Sequence, residues 1–185
     1  QGKPRFQVLL QFSGVVADRP GAIPAGARIL SAKLRLRTVN PGVKPSLYQM
    51  ATEWASKDVT FDNARLNGND VAGIQLHGRE AYPIPVAVAP TGGRGVIDID
   101  VTASVQNWAN GDANYGWVLT AQSGTNAWAA ANITNADLTA RPALIVTFTE
   151  GNGEHETARV DRLGSAVAAG QHVHAVSTHA PRPID

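Results

Sequence analysis

The sequence predicts an all-β chain: an antiparallel, jelly-roll-like β-sandwich over residues 1–150, with one short helix, followed by a C-terminal extension over residues 151–185. Three observations predict it. In most of the apolar segments hydrophobic residues fall at every second position, the period of a strand with one buried face. Eighteen glycines and 11 prolines punctuate those segments at short intervals, as closely spaced turns require. A helical period stands out at Val101, Val105 and Trp108, spaced i, i+4, i+7.

The first element is RFQVLLQF, where Phe6, Val8, Leu10 and Phe12 share one parity while Gln7 and Gln11 take the other. SGVVADRPGAIPAGA reads as a loop. RILSAKLRLRTV then alternates, with Leu30, Ala32, Leu34 and Leu36 expected inward and Ser31, Lys33, Arg35 and Arg37 outward. SLYQMATEW opens as a strand, DVTF offers a short piece, and Asn67-Gly68 is a turn signal. The prolines in IQLHGREAYPIPVAVA confine any strand there to a sheet edge, where a missing N–H does no harm. RGVIDIDV puts Val96, Asp98 and Asp100 on one side and Ile97, Ile99 and Val101 on the other. The short helix follows, with Thr102 expected to cap its start and Asn110-Gly111 its end. YGWVLTAQ and RPALIVTFTE complete a set of six or more strands at the spacing of a sandwich or jelly roll. After Glu150 no aromatic residue occurs and four of the five histidines cluster, which places the boundary there; the extension reads as a docking strand or a linker.

Composition excludes several classes. A net charge of +1 with no Lys/Arg run argues against nucleic acid. No stretch reaches the roughly 20 apolar residues of a membrane-spanning helix, so membrane insertion is not expected. The absence of cysteine removes disulfides, thiolate metal sites and thiol nucleophiles together. The chain opens on Gln1 rather than Met, which suits a removed leader or an excised module.

The blocks VLLQFSG, IPAGARILSAKLRLRT, LYQMATEWASKDVTFDNA, IDIDVTASVQNWANGDANYGWVLTAQ and TARPALIVTFTE resemble, in order, those of the DNRLRE-type module, or carbohydrate-binding module of family 96, from about Phe6 to Glu150. The resemblance implies a jelly-roll-like sandwich of secreted or cell-surface proteins, often appended to polysaccharide-active enzymes, with binding of alginate-type glycans in some members. It also implies one further strand before VLLQF. Here only Gln1 to Arg5 precede it, so a sheet edge is left for something to cover, and the extension is the candidate.

Among residues that could carry chemistry, the domain has only His77 and no Gly-x-Ser-x-Gly elbow, so a serine-hydrolase site is not expected. Asp98 and Asp100 would lie about 6–7 Å apart on a strand, within the range for glycosidase carboxylates, but two outward carboxylates also describe a solvated face. With Asp112 or Asn114 they are the candidate oxygen ligands for calcium, the candidate cofactor. His155, His172, His174 and His179 could hold a transition metal or be a polar tail.

Lys33, Arg35 and Arg37 form an outward stripe, about 7 Å between successive heads, able to follow carboxylates along an anionic polysaccharide; the plain alternative is a solubilising outer face. Trp54 and Trp108 are expected in the core, and Trp117 could line either face. Trp128, in SGTNAWAAANITNADL, is expected exposed in a loop where a sugar ring could stack, with Tyr82 and Tyr115 as lesser candidates.

Two functions fit. One is a non-catalytic, extracellular module for polysaccharide binding or adhesion, through Lys33, Arg35, Arg37, Trp128 and Tyr115. The other is a structural subunit of an extracellular filament or coat, self-associating by donor-strand-like addition through the extension.

Overall fold

A computed structural model of the chain describes residues 7–19, 21–54, 73–90, 93–121, 128–132, 134–149, 155–160 and 163–168. In chain order these contain β1 (Gln7–Phe12), β2 (Arg28–Pro41), β3 (Pro45–Gln49), β4 (Ala87–Val88), β5 (Gly95–Asp100), α1 (Thr102–Ala109), β6 (Trp117–Ala121), β7 (Trp128–Ala130), β8 (Ala143–Thr149), β9 (His155–Val160) and β10 (Leu163–Ala168). A single 3-10 turn spans Leu138–Ala140. Phe6, the DVTF piece, the Asn67-Gly68 turn, His172, His174 and His179 lie outside the described residues.

The strands form two antiparallel sheets. Sheet I runs β10-β1-β6-β3-β4, and sheet II runs β5-β2-β8-β9, with β7 pairing the far end of β2. The fold is therefore an all-β sandwich with one α-helix among the described residues. No helix among them is long and apolar enough to cross a membrane. β9 and β10, both within 151–185, pair antiparallel with β8 and β1 respectively.

The main core lies between the sheets. Leu10 and Phe12 of β1, Leu34 and Leu36 of β2, Trp117 and Leu119 of β6, and Leu144, Val146 and Phe148 of β8 are buried together there. Each such side chain contributes about 1.5–3 kcal/mol by leaving water. The expected alternation of β2 holds from Ala32 to Thr38 and fails at its start. Between Ile29 and Ser31 the ladder with β8 gains one residue, and this bulge turns Leu30 outward while Ile29 is buried. Leu30 was expected inward; the bulge shifts its parity.

A second cluster explains residues that strand parity leaves over. Leu9 and Val118 point away from the main core, yet both are buried, with Met50, Trp54, Ile74 and Ala81 of the β3–β4 connection. The described residues of that connection, 50–54 and 73–86, pack on the outer face of sheet I. Gln7 holds it in place: its Nε2 donates to the Ile74 carbonyl at 2.9 Å and its Oε1 accepts from the Ile74 N–H at 2.7 Å. The Trp54 indole adds a bond to the Tyr115 carbonyl at 2.8 Å. β4 is two residues long and lies at the edge of sheet I, as the prolines beside it require.

The short helix has a specific task. β5 pairs β2 only from Lys33 to Thr38, which among the described residues leaves the preceding stretch of β2 without a strand neighbour on that side. There α1 substitutes. Its Thr102 hydroxyl accepts from Ala32 N, Gln106 Oε1 accepts from Ile29 N, and Gln106 Nε2 donates to Ala27 O, at 2.9, 2.9 and 3.1 Å. Thr102 and Gln106, one turn apart, thus satisfy backbone groups that a strand would otherwise pair. For the same reason Thr102 is not the cap: Val101 occupies that position without a side-chain bond, and Asp100 Oδ1 accepts from Thr102 N at 2.9 Å instead. The C-terminus matches expectation. Gly111, at φ +109°, follows Asn110, and Gly111 N and Asp112 N donate to Trp108 O and Asn107 O in a Schellman arrangement.

Trp108 and Trp117 are both buried, their rings 4.7 Å apart. The Trp117 indole donates to Ser104 Oγ, which donates to Gln49 Oε1. α1 is thereby tied to β3 and β6 of sheet I as well as to β2 of sheet II.

Candidate functional site

The stripe on β2 is a local consequence of the strand period. With Ala32, Leu34 and Leu36 inward, Lys33, Arg35 and Arg37 must face out, and all three lie on the outer face of sheet II. β5 supplies the other half. Its register sets Asp100 opposite Lys33, Asp98 opposite Arg35 and Val96 opposite Arg37. Two of the three rungs thus set opposite charges side by side, in place of a row of free cations.

Arg35 and Asp98 form its centre. The guanidinium Nε and Nη2 donate to the two carboxylate oxygens at 2.8 Å each, a bidentate pair with about a third of each side chain exposed. The hydrogen bonds from Arg35 hold the Asp98 carboxyl below its ordinary range, and the Arg35 pKa is raised in turn by its bond to Asp98. Asp100 is also shifted down, first by the backbone N–H of Thr102, then by its hydroxyl and the charge of Lys33. Arg37 Nη1 lies 3.8 Å from Asp137 Oδ2, at the start of the 3-10 turn. Bonds from Thr139 chiefly keep Asp137 ionised to lower pH, with a smaller contribution from Arg37.

The candidate calcium ligands Asp98 and Asp100 each have a partner within the protein. Each oxygen of Asp98 accepts from one guanidinium nitrogen, and Asp100 Oδ1 accepts from Thr102 N at the start of α1, so each carboxylate keeps lone pairs for a further donor. Among the described residues no three His, Asp or Glu side chains converge on a common point.

The aromatic candidates lie elsewhere. Trp128 was expected exposed in a loop, but it sits on β7 opposite Pro41, half-buried against the main core. The β-ladder with the end of β2, unreadable in an Ala-rich stretch, draws the indole in. Tyr115 is half-buried against the cluster over sheet I. Tyr82 is exposed, in the proline-flanked segment before β4. The stripe, Trp128 and Tyr115 therefore do not form one site.

Sequence reasoning missed Asp137 as a partner of Arg37. Its Asp-x-Thr pattern signals a local turn, which the bonds from Thr139 N and Oγ1 show, but not its neighbour across the sheet. What the outer face of sheet II presents is an alternating set of donors and acceptors: the exposed Lys33 and Arg37, the Arg35–Asp98 fork and the Asp100 carboxylate. Such a face can hydrogen-bond a polar polymer. Comparison with protein-family models, with curated proteins and with solved structures gave no match.

Proposed function

We propose that the chain is a non-catalytic, extracellular β-sandwich module that binds surface or matrix polysaccharide through the outer face of sheet II. One observation carries the reading. The long central strand β2 holds Lys33, Arg35 and Arg37 at alternate positions on a solvent-facing surface, and Asp98 fixes the middle one in a bidentate pair. Fixed side chains lose less freedom on binding than mobile ones. The exposed Lys33 and Arg37, four residues apart and so about 13 Å along the strand, suit carboxylates on non-adjacent sugars of one polymer. Asp98 and Asp100 suit sugar hydroxyls as acceptors. The extracellular setting rests on the resemblance to DNRLRE-type modules.

Calorimetry against a polyuronate and a neutral glucan tests the reading. Binding of the polyuronate that weakens as salt rises is expected; equal indifference to both polymers at millimolar sugar contradicts it.

A second reading, a structural subunit of an extracellular filament or coat, is favoured by a separate observation. The last described strands, β9 and β10, end one sheet each and are two residues apart in sequence, so the described part of the extension supplies an edge strand to each sheet.

A further inference from the structure

We infer that β10 exchanges between copies of this chain, each donating residues 163–168 to the β1 edge of another. The inference concerns a different flank from the glycan-binding face and stands without it; it gives the second reading a defined geometry.

Among the described residues β10 belongs to sheet I through one neighbour. It pairs β1 from Phe12↔Leu163 to Val8↔Ala168, and at the end of the strand order it has β1 alone beside it. The ladder has a marked register. Between Gln11 and Phe12 it skips one residue of β10, Gly164, and a bulge at glycine fixes which pairs meet. A second copy's β10 would meet the same β1 edge with the same pairing, because the acceptor does not distinguish its own strand from an identical one.

The connection between β9 and β10 is short. β9 ends sheet II with Val160 opposite Leu144, and β10 begins in sheet I with Leu163 opposite Phe12. From Val160 to Leu163 is three residue steps, about 10–11 Å at full extension. Packed sheets lie about 10 Å apart. Three residue steps leave little spare length for such a crossing, and a short hinge favours exchange, in which the same residues run on to a neighbour.

The other end of sheet I does not compete. β4 is two residues long, and the exposed Pro83, Pro85 and Pro90 around it lack the N–H groups that a further strand would need. Each chain thus has one donor strand and one acceptor edge in this sheet, which yields either a reciprocal pair or an open chain of copies.

The chain has no cysteine, so introduced thiols report on the register directly. Separate Gln11→Cys and Ser165→Cys chains are mixed at high concentration, oxidised and compared with each chain alone. Val8→Cys with Ala168→Cys repeats the measurement at the other end of the ladder, where the Gln11 side-chain bond to Asn114 is untouched. Circular dichroism checks that each variant is folded. Disulfide-linked heterodimers well above the single-variant background are expected at both positions. Light scattering should show wild-type oligomers that shift toward monomer when Gly-Ser-Gly-Ser is inserted between Asp161 and Arg162. Monomers at every concentration with no linkage at either pair would overturn the inference. So would oligomers that neither cross-link at these pairs nor respond to the insertion.

Discussion

Gln106→Ala tests whether α1 stands in for a strand. The substitution removes the acceptor of the Ile29 N–H and the donor to the Ala27 carbonyl, both on part-buried backbone that no described strand pairs on that side. An unmet buried backbone group costs about 1–3 kcal/mol. Because this edge is only partly buried, the lower bound of about 1 kcal/mol for each group applies, or about 2 kcal/mol together. The better helix propensity of alanine returns roughly 0.4 kcal/mol, so the net loss is about 1.5 kcal/mol. Gln106→Glu keeps an acceptor for Ile29 N but sets a carboxylate against the Ala27 carbonyl, and should lose a comparable amount. Asn107→Ala, on the exposed face of the same helix, should stay within about 0.5 kcal/mol of wild type. Urea denaturation followed by tryptophan fluorescence measures all three, and hydrogen exchange at the Ile29 amide localises the effect. If Gln106→Ala and Asn107→Ala are equally stable, the helix is not sealing β2 and the reasoning fails.

Gly116→Ala should be among the most damaging single changes. At φ +74°, its new Cβ would lie 2.0 Å from the Leu10 carbonyl oxygen, whereas the same change at Gly111, at φ +109°, meets nothing within 4 Å. Gly111→Ala should therefore cost about 1–2 kcal/mol from conformation alone, and Gly116→Ala clearly more; equal melting temperatures would contradict this. Asp98→Asn should flatten the acid side of the stability profile. The lowered carboxyl stabilises the fold above its unfolded value, near pH 4, and that contribution is lost as pH falls through the folded value. Partial exposure limits it to about 0.5–1 kcal/mol at neutral pH, and an unchanged acid profile would refute the pairing. Gln7→Ala should speed hydrogen exchange at the Ile74 amide while leaving β8 amides protected, since it unfastens only the cover over sheet I.

The sequence made the central strands legible because their signal is local. Lys33 to Arg37 alternates so regularly that no neighbour is needed to tell inside from outside, and Val101, Val105 and Trp108 define a helix face by spacing alone. What it hid depends on distant pairings. Leu9 and Val118 break the alternation of β1 and β6, and only the covering connection, dozens of residues away, explains why both are buried. The outward Leu30 depends on a bulge against β8, and half-burial of Trp128 on β7 joining the end of β2. The same limit governs the candidate site. Parity found the three cations and the two aspartates separately, but the register that matches Arg35 to Asp98, 63 residues apart, exists only in the sheet. Local pattern assigns a residue to a face; the fold decides what it meets there.

The most direct test of the glycan-binding reading is calorimetric titration of a polyuronate into the wild-type chain and into Lys33→Gln/Arg37→Gln, at low and moderate salt. The variant retains the Arg35–Asp98 pair and should unfold like wild type. The outer-face account predicts wild-type binding that weakens with salt and is largely lost in the variant. Binding of equal strength and salt dependence in the two proteins would place the contact elsewhere and contradict it.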